Sequence, residues 1–204
     1  EMLGMAFFKS LAKQHGVTYF EPIGKAIPRA GLKKFNPMNP LHGFALRNEL
    51  VPYAFWWMGK QLEGVDSHEI PGMSLELKAH VDFALEFLSD TPLELSQAMV
   101  KHQLKLADRQ CRIAEMSQRA QDAIIILVTA LWAHNEKNAV VEAAADILCQ
   151  DLRCKLTGER PSDSYFKAAS KLADQIIDGK FPGLSEVAVQ DILFKYDKPV
   201  KEKA

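Results

Sequence analysis

Residues 93–157 contain neither glycine nor proline, and no other feature constrains the fold of this 204-residue chain as strongly. Apolar residues recur there at mostly three- and four-residue steps, from Met99 to Leu131, a period typical of an α-helix with one buried face. We therefore predict a single helix of about forty residues, roughly 60 Å long at about 1.5 Å per residue. Around residues 124–128 the sequence is apolar on every side, so neighbouring elements are expected to surround the helix there.

Helical patterns continue on both sides of this stretch. Leucine, valine and alanine at helical spacing predict a helix from Leu75 to Ser89. After it, Thr91 and Pro92 have the pattern of an N-cap residue followed by proline in a first turn. Runs suited to strands are nearly absent, so we expect an all-α fold built as an antiparallel helical bundle. Further helices are predicted over residues 138–156, 162–178 and 185–195.

The N-terminal third differs from this bundle in composition. A short helix is predicted over residues 2–14, ended by Gly16. From there to residue 72 lie six of the ten prolines and seven of the eleven glycines, so an irregular, Pro/Gly-rich segment is expected. The exception is residues 41–62, where Pro52 is placed in the first turn of an aromatic-rich helix. The chain is accordingly divided into a segment of residues 1–72 and a helical bundle domain of residues 73–204.

Composition excludes several classes of protein. The longest strongly apolar run covers residues 123–133, whereas a transmembrane helix needs roughly 18 to 20 residues. Cys111, Cys149 and Cys154 form no CxxC pair, so neither a disulfide framework nor a thiol-ligated metal is expected. The sequence pI of about 6.7 lacks the basic excess of nucleic-acid-binding domains, so nucleic acid is not expected as a partner.

No residue pattern in the sequence indicates catalysis or metal binding. None of the six histidines lies three or four residues from another, the spacing that places two imidazoles on one helix face. Neither a glycine-rich dinucleotide motif nor a P-loop is present. His102 lies on the apolar stripe of the long helix, where a structural role is expected. We therefore assign no catalytic residue and no metal ligand.

The N-terminal third carries the most unusual predicted surface. Residues 1–60 hold eight basic and three acidic residues, a net charge of +5, and residues 61–204 hold 17 basic and 23 acidic ones, a net charge of −6. Basic groups near aromatic ones suit an anionic membrane, where each Lys or Arg contributes about 1 kcal/mol and Trp lies at headgroup level. They equally suit the phosphates of a nucleotide-bearing ligand. The alternative is that Trp56 and Trp57 are core residues beneath a solvated basic loop. The residues assigned to a membrane or partner surface are Lys25, Arg29, Lys33, Lys34, Tyr53, Phe55, Trp56 and Trp57.

The helical part of the sequence resembles a known family. Residues 99–108, MVKHQLKLAD, followed by the apolar residues 124–131 and a further helix over 138–156, resemble the C-terminal helical extension of the very-long-chain branch of the acyl-CoA dehydrogenases. Residues 171–180, KLADQIIDGK, resemble the last amphipathic helix of that family. Residues 2–13 resemble the helix that follows its catalytic loop.

This resemblance implies a flavoprotein of fatty-acid β-oxidation. The family uses FAD and an acyl-CoA substrate, and it performs α,β-desaturation in which a glutamate removes the α-proton and a hydride goes to the flavin. The family's Glu-Gly-Thr-Asn loop does not match Glu1 and the residues after it, so Glu1 is interpreted as a cut or processing point. No residue of this chain is therefore assigned as catalytic or flavin-binding.

Two functions are predicted on this basis. In the first, the chain is the C-terminal helical part of an acyl-CoA dehydrogenase-like protein, serving packing and membrane or partner contact. In the second, it is a non-catalytic helical accessory subunit or assembly factor of a mitochondrial membrane complex. Both imply a homo- or hetero-oligomer and a peripheral contact with an anionic membrane. The expected location is the mitochondrial matrix at the inner membrane, with the bacterial cytoplasm as the alternative.

Overall fold

A computed structural model describes residues 2–36, 38–65, 69–102 and 110–184, in which every regular element is helical. This confirms the predicted all-α, bundle-like fold. The predicted helix over residues 185–195 lies outside the described residues. The helices are α1 Met2–His15, a π-helix Gly16–Phe20, α2 Glu21–Arg29, α3 Pro40–Ala45, α4 Arg47–Leu62, α5 Leu75–His102, α6 Gln110–Glu136, α7 Ala139–Thr157 and α8 Asp163–Ile177.

The predicted forty-residue helix is wrong, because α5 and α6 are two helices packed against each other. Arg119 on α6 donates a hydrogen bond to Glu94 on α5 over 2.9 Å. In one straight helix these two residues would be about 37 Å apart. The two helices therefore lie side by side and are not one continuous helix. Periodicity did not separate them because each helix buries an apolar stripe of the same period.

The main core is centred on the inner face of α6. Ala123, Ile126, Ala130 and Ala133 recur on that face at three- and four-residue steps, and each is 0% exposed. Three of the four are alanines, so α5 and α7 approach the α6 backbone closely. The residues that pack on this face are Leu77, Val81 and Ala84 of α5 and Val141, Ala145 and Cys149 of α7.

Both predicted helix starts at proline are wrong. The helix α5 runs without a break through Pro92, and the Thr91 hydroxyl donates to the Phe87 carbonyl over 3.0 Å instead of capping a new helix. Pro52 is the sixth residue of α4 and not part of its first turn. In α5, burial of residues on both sides of the proline, such as Ala84 and Leu95, offsets the lost backbone hydrogen bond.

The helix α1 ends at His15, next to Gly16 as predicted, and the chain then continues through the π-helix into α2. A Cβ atom at Gly16 would lie 3.1 Å from Cε of Met99 on α5. The glycine therefore serves a close approach of the π-helix to α5. Short helices thus replace much of the irregular structure expected for the N-terminal third. A second core attaches α1 to the bundle through Phe8, Leu95, Ala98, Ile113 and Met116.

The ends of α7 and α8 follow the local signals in the sequence. Asn138 caps α7 by accepting from the Val140 amide over 2.9 Å, and Ser162 caps α8 by accepting from Tyr165 over 3.3 Å. Gly158 follows α7 with a φ of 78°, a conformation that favours glycine. No helix in the described part of the chain is long and apolar enough to cross a membrane.

Replacing Ile126 by alanine tests the position of the core. Ile126 is 0% exposed and Ile125, its neighbour on the same helix, is 45% exposed. We expect Ile126→Ala to lower the free energy of unfolding by about 2–4 kcal/mol and the matched control Ile125→Ala by less than about 1 kcal/mol. Chemical denaturation followed by circular dichroism measures both. Equal losses would contradict the assignment of the two faces.

Candidate functional site

An aromatic cluster joins the inner face of α4 to the π-helix. The Trp56 ring lies 4.5 Å from His15 and 5.3 Å from Tyr19, measured between ring centroids. The Tyr53 ring lies 5.4 Å from Phe20. Offset and tilted ring pairs of this kind stabilise packing beyond the area they bury. The cluster therefore fixes how α4 sits on the N-terminal third.

A hydrogen bond ties this cluster to the bundle. The Tyr53 hydroxyl and the Ser96 hydroxyl on α5 lie 2.8 Å apart, and Ser96 is fully buried. The bond satisfies a buried polar group that would otherwise reduce stability. The Trp57 ring lies 6.2 Å from Tyr53, so Tyr53, Trp56 and Trp57 are half-buried side chains with ring partners.

Phe55 lies on the opposite side of α4, within an apolar stripe that sequence reasoning missed. Its side chain is 71% exposed. Val51, Met58 and Leu62 share its face and are also exposed, at successive spacings of four, three and four residues. The spacing was readable in the sequence, but aromatic composition had grouped Phe55 with its inward neighbours. We call Val51, Phe55, Met58 and Leu62 the α4 outer stripe.

The four predicted basic residues are all on the surface. Lys25 and Arg29 lie on α2, and Lys33 and Lys34 follow it; all four are exposed. Lys25 pairs with Glu21 one turn earlier, with 2.5 Å between Nζ and Oε1. The helices α2 and α4 contact each other, so these basic residues belong to the same N-terminal unit as the α4 outer stripe.

His15 occupies an unusual position within the aromatic cluster. Its Nε2 atom is buried and has no hydrogen-bond partner among the described residues. Burial lowers the pKa of the imidazole below 6.5 because a charged ring would lose its hydration. The π-helix begins at the next residue. Isolated π-helical turns are rare and are often found at functional positions.

The stability of the protein is expected to fall on acidification because of His15. The folded state favours the neutral ring, so this contribution is complete above pH 6.5 and is lost as the pH falls from there through the lower pKa of the folded state. His15→Phe keeps a ring in the cluster and removes the titration. Urea denaturation at about pH 7.5 and about pH 5 should show a smaller loss for the variant. Equal losses in both proteins would contradict this role.

A buried polar network joins α5 to α7 and was not predicted from the sequence. His80 is 2% exposed, and its Nε2 lies 2.8 Å from the Asp146 carboxylate. The Arg153 guanidinium lies 3.4 Å from His80 Nδ1. Because a guanidinium can only donate, Nδ1 accepts and the proton is assigned to Nε2, which donates to Asp146. The hydrogen bond from His80 lowers the pKa of Asp146.

Cys149 lies next to this network, and its thiol is buried and hydrogen-bonded. It is 0% exposed, and its thiol donates to the Ile126 carbonyl over 3.6 Å. Burial raises the pKa of the thiol to about 12, so it stays protonated and is a poor nucleophile. His80, Asp146 and Arg153 therefore hold α5 to α7 and do not activate a nucleophile at Cys149.

Two surface grooves lie among the described residues. The grooves are about 490 and 500 Å³ in volume, and both are open and edged by charged side chains. In the first groove Asp122 is paired with Lys155 over 2.7 Å, and Gln118 donates to its other carboxylate oxygen over 2.9 Å. Within the described ranges no three His, Cys, Asp or Glu side chains are placed to hold a metal ion.

No protein-family model, curated protein or solved structure matches this chain. Its function is therefore inferred from the fold and from the exposed surfaces.

Proposed function

We propose that this chain is the C-terminal helical part of an acyl-CoA dehydrogenase-like flavoprotein of fatty-acid β-oxidation, where it serves packing and contact with a membrane or partner. The resemblance of residues 99–108 and 171–180 to that family supports the proposal, as does the succession of the long helices α6, α7 and α8. The observation that carries the contact role is the two-sided character of α4.

One face of α4 is committed to the protein and the other is available. Tyr53 and Trp56 pack into the aromatic cluster, whereas Phe55 is 71% and Leu62 82% exposed. Large apolar side chains in one continuous stripe indicate a surface that is covered in the functional state. Because the inner face is anchored through Ser96, the α4 outer stripe is presented in a fixed orientation.

The charge around α4 favours an anionic bilayer as the surface that it meets. Arg29, Lys33 and Lys34 are exposed in the same N-terminal unit, and each contributes about 1 kcal/mol of attraction to an anionic leaflet. Arg47, at the start of α4, lies over the Phe44 ring at 4.4 Å. An amphipathic helix with basic neighbours lies in the headgroup plane without spanning the membrane. The proposed location is the matrix face of the mitochondrial inner membrane, or the bacterial cytoplasm.

The proposed family chemistry belongs to residues outside those described. In that family FAD accepts the hydride during α,β-desaturation. His80 and Cys149 are buried and committed to other contacts. The proposed contribution of this chain is therefore mechanical: it packs against the rest of the protein and positions it at a surface.

Native purification tests the proposed membership of the family. The native protein recognised by an antibody to this chain is expected to have a mass well above 22.9 kDa and to show flavin absorbance. Intact-mass spectrometry and a visible spectrum of the purified protein measure both. A discrete 22.9 kDa chain without flavin in its parent complex would exclude the enzyme and leave the contact role open.

Vesicle binding tests the contact role by itself. We expect Phe55→Ser with Met58→Ser to weaken binding to vesicles that contain phosphatidylserine by about 3 kcal/mol, on the order of 100-fold in affinity. Phe166→Ser is the matched control because Phe166 is 57% exposed on α8. Co-sedimentation gives the affinities and circular dichroism checks the fold. Equal effects of the two variants would count against the α4 contact, and equal binding to neutral phosphatidylcholine vesicles would count against an anionic bilayer as its partner.

A non-catalytic accessory subunit is the second candidate function. It is favoured by the closed interior, in which the pKa of Cys149 is raised to about 12 and both ring nitrogens of His80 have partners. This candidate predicts that the chain co-purifies with membranes as a discrete subunit. The native mass and flavin spectrum separate it from the first proposal.

A further inference from the structure

The outer face of α6 carries a second apolar stripe, apart from the α4 outer stripe. Ile125, Val128 and Trp132 follow one another at spacings of three and four residues. They are 45%, 57% and 50% exposed. Ile124 lies beside them and is 45% exposed. Sequence analysis predicted neighbours on every side of this part of the helix, and the described residues cover only its inner side. We call Ile124, Ile125, Val128 and Trp132 the α6 seam.

The spacing of the α6 seam is that of a coiled-coil contact. Gln121 and Asn135 extend the pattern at its two ends, so that positions 121, 125, 128, 132 and 135 alternate steps of four and three residues. This is the heptad period with which one helix packs along another. A helix is therefore the shape of partner that fits the seam.

The seam is also free of formal charge. Residues 123–135 contain no Asp, Glu, Lys or Arg. Asp122, at its border, is buried and paired with Lys155 over 2.7 Å. The centres of protein interfaces are depleted of charge and enriched in Trp, as this face is.

The order of residues along the seam makes it complementary to itself. Ile124 and Trp132 are each four residues from Val128, and Gln121 and Asn135 are each seven residues from it. In an antiparallel pair with a twofold axis at Val128, Ile124 of one copy faces Trp132 of the other. The large Trp132 side chain of each copy then packs against the smaller Ile124 side chain of the other. The neutral amides of Gln121 and Asn135 lie at the two ends of the contact. In such an isologous contact the same apolar face of each copy is buried by the other copy.

We propose that α6 is a self-association seam, through which two copies of this chain pair antiparallel about a twofold axis at Val128. This goes beyond the contact proposed for α4, since it names a second copy as the occupant of a different face. Two seams expose on the order of 800 Å² in total, taking roughly 200 Å² for each fully exposed large side chain. That area is at the low end for specific interfaces, so the dimer is weak and depends on concentration.

Disulfide trapping in the full-length chain tests this geometry. Only residues close to the twofold axis meet their own copies, so Val128→Cys forms a symmetric disulfide, whose Cβ atoms must lie about 3.5–4.5 Å apart. The background carries Cys111→Ser and Cys154→Ser, which removes the exposed and half-buried thiols. The matched control is Leu75→Cys, since Leu75 is 82% exposed on α5. We expect Val128→Cys to give covalent dimer roughly tenfold faster than the control under one oxidant.

Sedimentation velocity without cross-linking completes the test. The wild-type chain is expected to show a concentration-dependent dimer, which Val128→Glu abolishes and Leu75→Glu preserves, with helical circular dichroism retained in both. A chain that is monomeric at every concentration, with cross-linking no faster than the control, overturns the proposal. Protection of Val128→Cys by residues 185–204 or by a bilayer, with no dimer formed, also overturns the proposal. Vesicle binding through Phe55 is a separate readout, so failure of this proposal leaves the α4 contact standing.

Discussion

The inner face of α6 is the contact on which the rest of the fold depends. Ala123, Ile126, Ala130 and Ala133 are completely buried between α5 and α7. Because most of them are alanines, the neighbouring helices come close enough for polar groups to interact across the core. The Cys149 thiol reaches the Ile126 carbonyl, and on α5 and α7 the buried His80 reaches Asp146. The close packing of the helices and the hydrogen bonding of the buried polar groups therefore depend on the same small residues.

The helices α4 and α6 are both apolar on two faces, and for this reason the bundle exposes apolar surface on each of them. Each buries one face and exposes another, with Phe55 outward on α4 and Val128 outward on α6. A helix that is apolar on two sides needs two sets of neighbours. Within the described residues each has only one. The exposed faces differ in charge, since α4 shares its N-terminal unit with exposed basic residues such as Arg29 and Lys33, whereas residues 123–135 of α6 contain no formal charge. The two faces therefore suit different partners.

Local signals predicted the parts of the fold that depend on local chemistry. Asn138, Ser162 and Gly158 mark helix ends through their own hydrogen bonds or backbone angles, and such signals are visible in a sequence. The division into α5 and α6 was not predicted, because the helical period continues through both helices. Thr91 was misread because its hydroxyl can either cap a helix or bond to the preceding turn. Tertiary packing decides between those two outcomes.

The aromatic residues of α4 could not be assigned to its two faces from composition alone. Composition placed Tyr53, Phe55 and Trp56 in one group, but a helix turns by about 100° per residue and so separates them. Only Phe55 of these three lies on the outer face. In the interior, burial raises the pKa of the Cys149 thiol to about 12, and both ring nitrogens of His80 have partners. The exposed apolar stripes on α4 and α6 are therefore the surfaces on which the proposed contacts depend.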